Sequence, residues 1–167
     1  MDRLTLYILF LFVSVCSTAA CGDQCSFPPA KILVVRHAEK IDFTYDSPLS
    51  NQGSKRAEAL VDAVGNEELS AIYTTQMIRT KQTALPLSVY KDIQPTEVQK
   101  DQIGELCQVL CTLNKKETVL VVGHSDTIPE LFTCLGITKT VDPEYGDLFI
   151  VTFPSGGAAF EKSHFGE

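Results

Sequence analysis

The chain has 167 residues and a formal net charge of −7, with 44% hydrophobic and 21% charged residues. That length allows one ordinary domain but hardly two independent cores, and the composition excludes both a disordered chain and a multi-span membrane protein. The acidic balance argues against nucleic acid or a polybasic membrane patch as the binding mode. Any anion that the protein binds must therefore be held by a local group of cations.

A short apolar segment at the amino terminus predicts export. Residues 4–16 form an apolar run, and small residues occupy positions 17–20. The run is short for a bilayer-spanning helix and ends in a small-residue site of the kind that signal peptidases cleave. We therefore expect an export signal over residues 1–20; the alternative is an uncleaved anchor helix.

Cleavage of this signal leaves Cys21 at the mature amino terminus, as in an acylated bacterial lipoprotein. Thr18 stands where such signals usually carry an aliphatic residue, so membrane attachment through a lipidated Cys21 and plain secretion both stay open. The expected location is periplasmic, membrane-anchored or secreted. Residues 21–30 are expected to form a tether, and residues 31–167 the domain.

The cysteines bear on the same question. Of the six cysteines, Cys16 lies in the predicted signal, so the mature chain keeps an odd number that cannot all pair unless Cys21 is acylated. Cys107 and Cys111 lie four residues apart on one helical face, where they could bridge, bind a metal or simply pack. Because neighbouring apolar residues continue the same stripe, we expect simple burial.

Strand-like and helix-like segments alternate from Lys31 onward. Six segments are predicted to be strands: Ile32–Val35, Ala71–Thr75, Glu97–Val98, Val119–Val122, Leu148–Phe153 and Ala158–Phe160. The first is expected to be central, and the last two to form a closing pair around Gly156-Gly157. Helices between strands imply an α/β domain with a largely parallel sheet covered on both faces, and ligands beyond the carboxyl ends of the strands.

Several residues mark where helices begin and end. Ser50 is a favourable N-cap for the first helix, and Gly65 ends its apolar period. The second helix passes through Arg79, and Pro86 is expected to end or kink it.

Histidines and arginines follow three of the predicted strands. Arg36 and His37 come directly after the first strand, Arg79 follows the second, and His124 with Ser125 follows the fourth. Because the carboxyl ends of parallel strands meet at one edge of a sheet, we expect these side chains to share one crevice. A nitrogen nucleophile beside cationic donors suits a phosphoryl group.

Two other interpretations of these residues stay open. A single histidine or arginine at a strand end is more often structural than catalytic. His37, His124 and Asp126 could instead bind zinc, although two nearby guanidinium groups would repel a divalent cation. The joint occurrence of the four groups favours the phosphoryl interpretation.

Four ordered blocks of sequence resemble one known family. Residues 33–40 read Leu-Val-Val-Arg-His-Ala-Glu-Lys, residues 46–57 read Asp-Ser-Pro-Leu-Ser-Asn-Gln-Gly-Ser-Lys-Arg-Ala, Tyr73–Thr75 precede Arg79, and residues 121–125 read Val-Val-Gly-His-Ser. Together they are similar to the signatures of the histidine phosphatase superfamily, in particular to its short bacterial-type members. The resemblance implies a phosphoglycerate mutase-like fold, an α/β three-layer sandwich with a mostly parallel central sheet.

The resemblance also implies roles for individual residues. His37 corresponds to the nucleophile, and Arg36, Arg79 and His124 to the phosphate pocket. Ser125 is expected to contribute to substrate binding. The family mechanism forms a phosphohistidine that water hydrolyses, and it implies neither a metal nor another cofactor.

One departure from the family concerns the general acid. Many members carry a glutamate after the third strand, within an insertion that roofs the site; this chain has only Gln99-Lys100-Asp101-Gln102 there. The candidates are Asp101 by position, Asp126 beside His124, and Glu39 near the nucleophile. We therefore expect an exported phosphatase that hydrolyses a small phosphate monoester. The alternatives are a mutase-like phosphotransferase and a phosphate-recognition module without turnover.

Overall fold

The computed structural model describes residues 31–113, 116–155 and 157–167. The predicted export signal, the tether with Cys21, and Gly156 of the predicted turn lie outside the described residues. No helix within the described ranges is long and apolar enough to cross a membrane.

Strands and helices alternate as expected. In chain order they are β1 (Lys31–Arg36), α1 (Asn51–Val64), β2 (Leu69–Thr75), α2 (Ile78–Lys91), β3 (Thr96–Val98), α3 (Ile103–Thr112), β4 (Thr118–Gly123), α4 (Thr127–Cys134), β5 (Asp147–Thr152) and β6 (Ala159–His164). Each predicted strand lies within a residue or two of an observed one, apart from β6, which extends four residues farther than predicted.

The six strands form one sheet in the order β3-β2-β4-β1-β5-β6. The pairs β3-β2, β2-β4 and β4-β1 are parallel, whereas β5 and β6 are antiparallel to their neighbours. The prediction of a mostly parallel sheet with β1 near its centre is therefore confirmed.

Alternation along β1 produces two apolar cores. Ile32 and Val34 pack in the core that includes side chains of α3 and α4, whereas Leu33 and Val35 pack in the core that includes side chains of α1 and α2. Successive side chains of a strand point to opposite faces, so a strand with helices on both sides must be apolar throughout. The helices thus form the outer layers of a three-layer sandwich.

The observed ends of α1 and α2 can be compared with the helix ends predicted at Ser50, Gly65 and Pro86. The Ser50 hydroxyl accepts a hydrogen bond from the Gly53 amide at 3.1 Å, which confirms the N-cap, and Gly65 follows the last residue of α1. Of the two outcomes expected at Pro86, an end of α2 is wrong, because the helix continues to Lys91. Buried positions on both sides of the proline, such as Thr83 and Leu87, hold the helix on the sheet despite the lost backbone hydrogen bond.

The expectation of simple burial for the cysteines is also wrong. Cys107 is buried, but it forms a disulfide with Cys134, which links α3 to α4. Cys111 is disulfide-bonded as well. Spacing within one helix does not reveal a partner 27 residues away, because that proximity depends on how α3 and α4 pack.

Candidate active site

The predicted residues meet at one edge of the sheet. Arg36 pairs in register with Gly123 across parallel β1 and β4, so both chains leave the sheet side by side and deliver His37 and His124 to the same place. The two imidazole centroids lie 5.1 Å apart. Arg79 sits in the first turn of α2, just beyond the end of neighbouring β2.

The His37 side chain is buried and held in one orientation. Its Nδ1 lies 2.8 Å from the Ala38 carbonyl oxygen. A carbonyl can only accept, so Nδ1 carries the hydrogen and the lone pair of the neutral ring lies on Nε2. Burial lowers the pKa of His37 to about 4, opposed by this hydrogen bond and assisted by the charges of Arg79 and Arg36. The imidazole is therefore neutral at physiological pH.

The His124 ring belongs to a hydrogen-bonded chain. Arg79 Nη2 lies 3.3 Å from His124 Nδ1, and a guanidinium cannot accept, so Nδ1 is the acceptor. Nε2–H then donates to the Thr75 hydroxyl at 2.8 Å, and Thr75 donates to Thr80 at 2.9 Å. Burial, together with repulsion from His37 and the nearby cations, lowers the pKa of His124 to about 3.

Two guanidinium groups complete the pocket. Arg36 Nη1 donates to the Pro143 carbonyl at 3.0 Å, and Arg79 Nη1 donates to the Tyr45 carbonyl at 2.8 Å. Within the described residues, the Nε–H groups of both arginines are buried without a hydrogen-bond partner. Buried unpaired donors are costly, and an anion bound within hydrogen-bond distance would satisfy them.

Tyr145, which the sequence did not predict, belongs to the same site. The Arg36 guanidinium lies over its ring, 4.2 Å from the centroid, and the His37 ring lies 5.8 Å from it. Tyr145 lies two residues before antiparallel β5, and the start of an antiparallel strand lies beside the end of its neighbour. A closing strand pair placed antiparallel to β1 would therefore have indicated the residues before β5.

Glu39 lies beside the pocket but is committed to a buried ion pair. Arg56 Nε donates to both of its carboxylate oxygens at 2.9 and 3.1 Å, and Arg56 Nη2 lies 2.6 Å from Oε1. Arg56 also donates to the carbonyls of Phe165 and Glu167. Burial alone would raise the pKa of Glu39, but the hydrogen bonds and the positive charge of Arg56 together outweigh it and hold the pKa below its usual value.

The segment around Gly53, at the start of α1, packs against the backbone of Glu39 two residues after His37. A Cβ atom on Gly53 would approach the Glu39 carbonyl oxygen to well within contact distance. The Ser50 amide donates to the same carbonyl at 2.8 Å. The start of α1 is thereby fixed directly against the residues that follow His37. Asn51 and Gln52 are exposed at that helix start.

The other two predicted acids differ in environment. Asp126 accepts from Lys100 Nζ at 2.6 Å and from the Thr127 amide at 2.9 Å. Burial raises the pKa of Asp126, but the hydrogen bond and charge of Lys100 outweigh this and keep the pKa low. Asp101 and Ser125 are exposed. Asp101 lines an open cleft of about 380 Å³ together with Asp126, Lys100 and Tyr45.

The zinc alternative lacks a ligand set in this structure. Among the described residues, no group of three or more histidine, cysteine or acidic side chains is arranged to hold a metal ion. Asp126, the carboxylate required by that alternative, is instead paired with Lys100. The arrangement at the strand ends places a neutral imidazole beside two guanidinium groups, a combination that could bind an anion.

Comparison with curated proteins supports this description. Residues 32–105 match the model of the histidine phosphatase superfamily (branch 1). Phosphoserine phosphatase 1 from Hydrogenobacter thermophilus is 31% identical over 83 residues, a match that covers 46% of this chain and 38% of that protein. The chain therefore matches well under half the length of this relative.

Solved structures share the fold at low sequence identity. An Escherichia coli protein described as a candidate alpha-ribazole-5'-P phosphatase has a TM-score of 0.70 and 12% identity, over 81% of this chain and 96% of that one. Mycobacterial glucosyl-3-phosphoglycerate phosphatase has a TM-score of 0.65 and 11% identity, over 80% and 97%. The protein histidine phosphatase SixA complexed with tungstate has a TM-score of 0.64 and 16% identity, over 80% and 96%.

The family match begins in the strand that delivers His37 and extends past Arg79 into α3. The fold that surrounds the pocket is the phosphoglycerate mutase-like fold of these structures. The residues, the topology and the comparisons agree, and residues 32–105, which include His37 and Arg79, match the histidine phosphatase superfamily.

Proposed function

We propose that the domain is a phosphatase that hydrolyses a phosphate monoester through a phosphohistidine on His37. The observation that carries the proposal is the state of the His37 ring. Its Nδ1–H is committed to the Ala38 carbonyl, and burial with nearby cations keeps the ring neutral, so Nε2 offers a lone pair. Arg36 and Arg79 beside it each have an unpaired buried N–H for phosphate oxygens.

The reaction then has two displacement steps. His37 Nε2 forms a bond to phosphorus while the bond from phosphorus to the ester oxygen breaks, and the electron pair leaves with that oxygen, which takes a proton from water. A water molecule next attacks phosphorus, the phosphorus–nitrogen bond breaks with its electron pair returning to Nε2, and the water proton passes to solvent. The guanidinium groups offset negative charge on the remaining phosphate oxygens in both steps.

The surrounding carboxylates favour simple hydrolysis of activated esters. Glu39 and Asp126 are each held ionised by a cation, so neither has a proton to give at neutral pH. Without a positioned acid, the leaving oxygen departs with more negative charge. We therefore assign the general-acid role to neither residue.

We also propose that the protein acts outside the cytoplasm. The apolar amino-terminal segment supports export. The disulfide between Cys107 and Cys134 is independent support, because disulfides persist in oxidising compartments. Mass spectrometry of the native protein should find an amino terminus at or near Cys21, with or without acyl chains; recovery of intact Met1 in a soluble cytosolic fraction would refute this.

Trapping the intermediate tests the proposed chemistry. Rapid quenching during turnover of a radiolabelled phosphate ester should give an adduct that is labile in acid, stable in base and located on His37. The matched control is His164→Ala, which removes an exposed histidine of β6 and should leave the label in place. A label on another residue, or turnover without any label, would overturn the proposal.

A further inference from the structure

Three large apolar side chains stand exposed on one loop beside the phosphate pocket. Ile41, Phe43 and Tyr45, here called the apolar lip, are 63%, 100% and 79% exposed. They occupy alternate positions between β1 and α1. Single exposed hydrophobic residues are ordinary, but three on one short loop at the mouth of a site require an explanation.

The loop that carries the apolar lip is held together by its own hydrogen bonds. Lys40 and Leu49 form a bridge between its two ends, and the Ile41 amide donates to the Pro48 carbonyl at 3.0 Å. Near the tip, the amide and hydroxyl of Thr44 donate to Asp42 at 2.9 and 2.6 Å. These hydrogen bonds give the loop that carries the lip an ordered conformation.

The same loop is attached directly to the phosphate pocket. The Tyr45 carbonyl accepts from Arg79 Nη1 at 2.8 Å, and Asp46 accepts from the Ile78 amide at 2.7 Å. One side of Arg79 therefore contacts the loop while its Nη2 contacts His124. A phosphate held by Arg79 would therefore lie next to the loop that carries the lip.

The cleft next to Tyr45 has the opposite character. Its charged lining residues are Lys100, Asp101, Asp126 and Glu130, which is one cation and three carboxylates with a formal charge of −2. The single lysine is already paired with Asp126 at 2.6 Å. Repulsion there disfavours any substrate with a second anionic group next to its phosphate.

We propose that the apolar lip determines specificity by binding the alcohol portion of the substrate, and that this portion is uncharged and apolar, either aromatic or a long alkyl chain. The inference rests on the proposed phosphatase activity and adds the class of substrate. Contact with the lip removes apolar surface from water, which favours large apolar esters over small polar ones.

A pair of alkyl esters separates this effect from chemical reactivity. Ethyl phosphate and octyl phosphate have leaving alcohols of similar acidity and differ mainly in apolar length. At concentrations below micelle formation, kcat/KM for octyl phosphate should exceed that for ethyl phosphate by about tenfold or more. Phe43→Ser and Tyr45→Ser should each reduce this ratio severalfold. Val89→Ser, at a side chain that is 73% exposed on α2, is the matched control and should keep the wild-type ratio.

Several outcomes would overturn the inference while leaving the proposed phosphatase function intact. They are a ratio near one in the wild type, a ratio unchanged by both lip substitutions, or faster turnover of 3-phosphoglycerate than of octyl phosphate. A lip that instead binds phosphatidylcholine vesicles, with Phe43→Ser losing that binding and keeping the ester ratio, would also overturn it.

Binding of non-hydrolysable analogues tests the lip without turnover. Calorimetric titration with ethylphosphonate and octylphosphonate should show the same preference for the octyl compound and the same loss in Phe43→Ser. Equal affinities would refute the lip as a binding surface. Failure to hydrolyse any ester, with the octyl preference in binding preserved, would refute the phosphatase proposal alone.

Discussion

The phosphate pocket and the apolar lip lie side by side yet are built in opposite ways. His37, Arg79 and His124 are at most 7% exposed and are fixed by backbone and hydroxyl partners, whereas Phe43 at the tip of the lip is fully exposed. Burial strengthens electrostatic interactions and shifts histidine pKa values, which a nucleophile and anion site require. Exposure instead leaves apolar surface available to whatever the phosphate is attached to. In the functions proposed above, the buried framework carries out the reaction and the exposed loop selects the substrate.

Removing the nucleophile should give the largest effect. His37→Ala is expected to lower kcat/KM for every ester by about 10⁴-fold or more, because no other group forms the covalent intermediate. His164→Ala, at the exposed histidine of β6, is the control and should retain activity. Residual activity above a tenth of the wild-type value in His37→Ala would contradict the assignment of the pocket.

Loss of Arg79 should affect both regions, because this side chain links them. Arg79→Ala is expected to reduce kcat by about 10²–10³-fold through loss of charge stabilisation in the transition state. It also removes the hydrogen bond to the Tyr45 carbonyl, so the octyl-to-ethyl preference should fall as well. Lys81→Ala, which removes an exposed cation of the same helix, is the control. An unchanged octyl-to-ethyl preference in Arg79→Ala would show that the lip selects substrates independently of Arg79.

The disulfide should support stability without serving the chemistry. Replacing both Cys107 and Cys134 by alanine opens a link across 27 residues and should lower the free energy of unfolding by about 3 kcal/mol. Urea denaturation at neutral pH measures the change. Because neither cysteine lies in the pocket, kcat under conditions where the variant is folded should stay near the wild-type value. A selective loss of kcat in the folded variant would show that α4 must be tied to α3 to position His124.

Acid should destabilise the fold through the two histidines of the pocket. Burial lowers the pKa of His37 from 6.5 to about 4 and of His124 from 6.5 to about 3, so between these limits the unfolded chain binds more protons than the native one. Stability should therefore fall as pH drops below 6.5, by up to about 1.4 kcal/mol per pH unit for each histidine. Urea midpoints from pH 7 to 4 measure the slope, which His37→Gln should reduce. An equal slope in the variant would show that carboxylates dominate the acid response.

Sequence patterns were sufficient for the fold and for the four groups of the pocket. The apolar run of β1 indicated a strand covered on both faces, and strand ends in a parallel sheet must share an edge. The apolar run predicted the central position of β1 in the sheet. The rule for strand ends predicted that His37 and His124 converge. These features depend on local periodicity and on the alternation of strands and helices along the chain, both of which a single sequence displays.

Features that depend on packing between distant segments were not predicted. Tyr145 reaches Arg36 only because β5 runs antiparallel to β1, and the partner of Cys107 depends on how α3 lies against α4. The continuation of α2 through Pro86 reflects burial of its flanking residues, which outweighs the local preference of proline. The partners of Glu39 and Asp126, which decide whether each could act as an acid, likewise come from residues far away in the sequence.

The smallest expected effect concerns the carboxylates of Glu39, Asp101 and Asp126. It is best measured as the ratio of the alkyl phosphate rate to the aryl phosphate rate. Without a positioned acid, rates should fall steeply as the pKa of the leaving alcohol rises, so aryl phosphates should react faster than alkyl phosphates. A positioned acid contributes about 10²–10⁴-fold for poor leaving groups, and its loss would change the alkyl-to-aryl ratio by that amount.

We expect Asp101→Asn, Asp126→Asn and Glu39→Gln each to leave the alkyl-to-aryl rate ratio within about twofold of the wild-type value, because a twofold change lies far below the contribution of an acid. Glu39→Gln also weakens the buried pair with Arg56 and so lowers stability, but loss of folded enzyme reduces both rates equally and cancels in the ratio. A variant that loses alkyl phosphate turnover while keeping aryl phosphate turnover would identify that residue as the general acid.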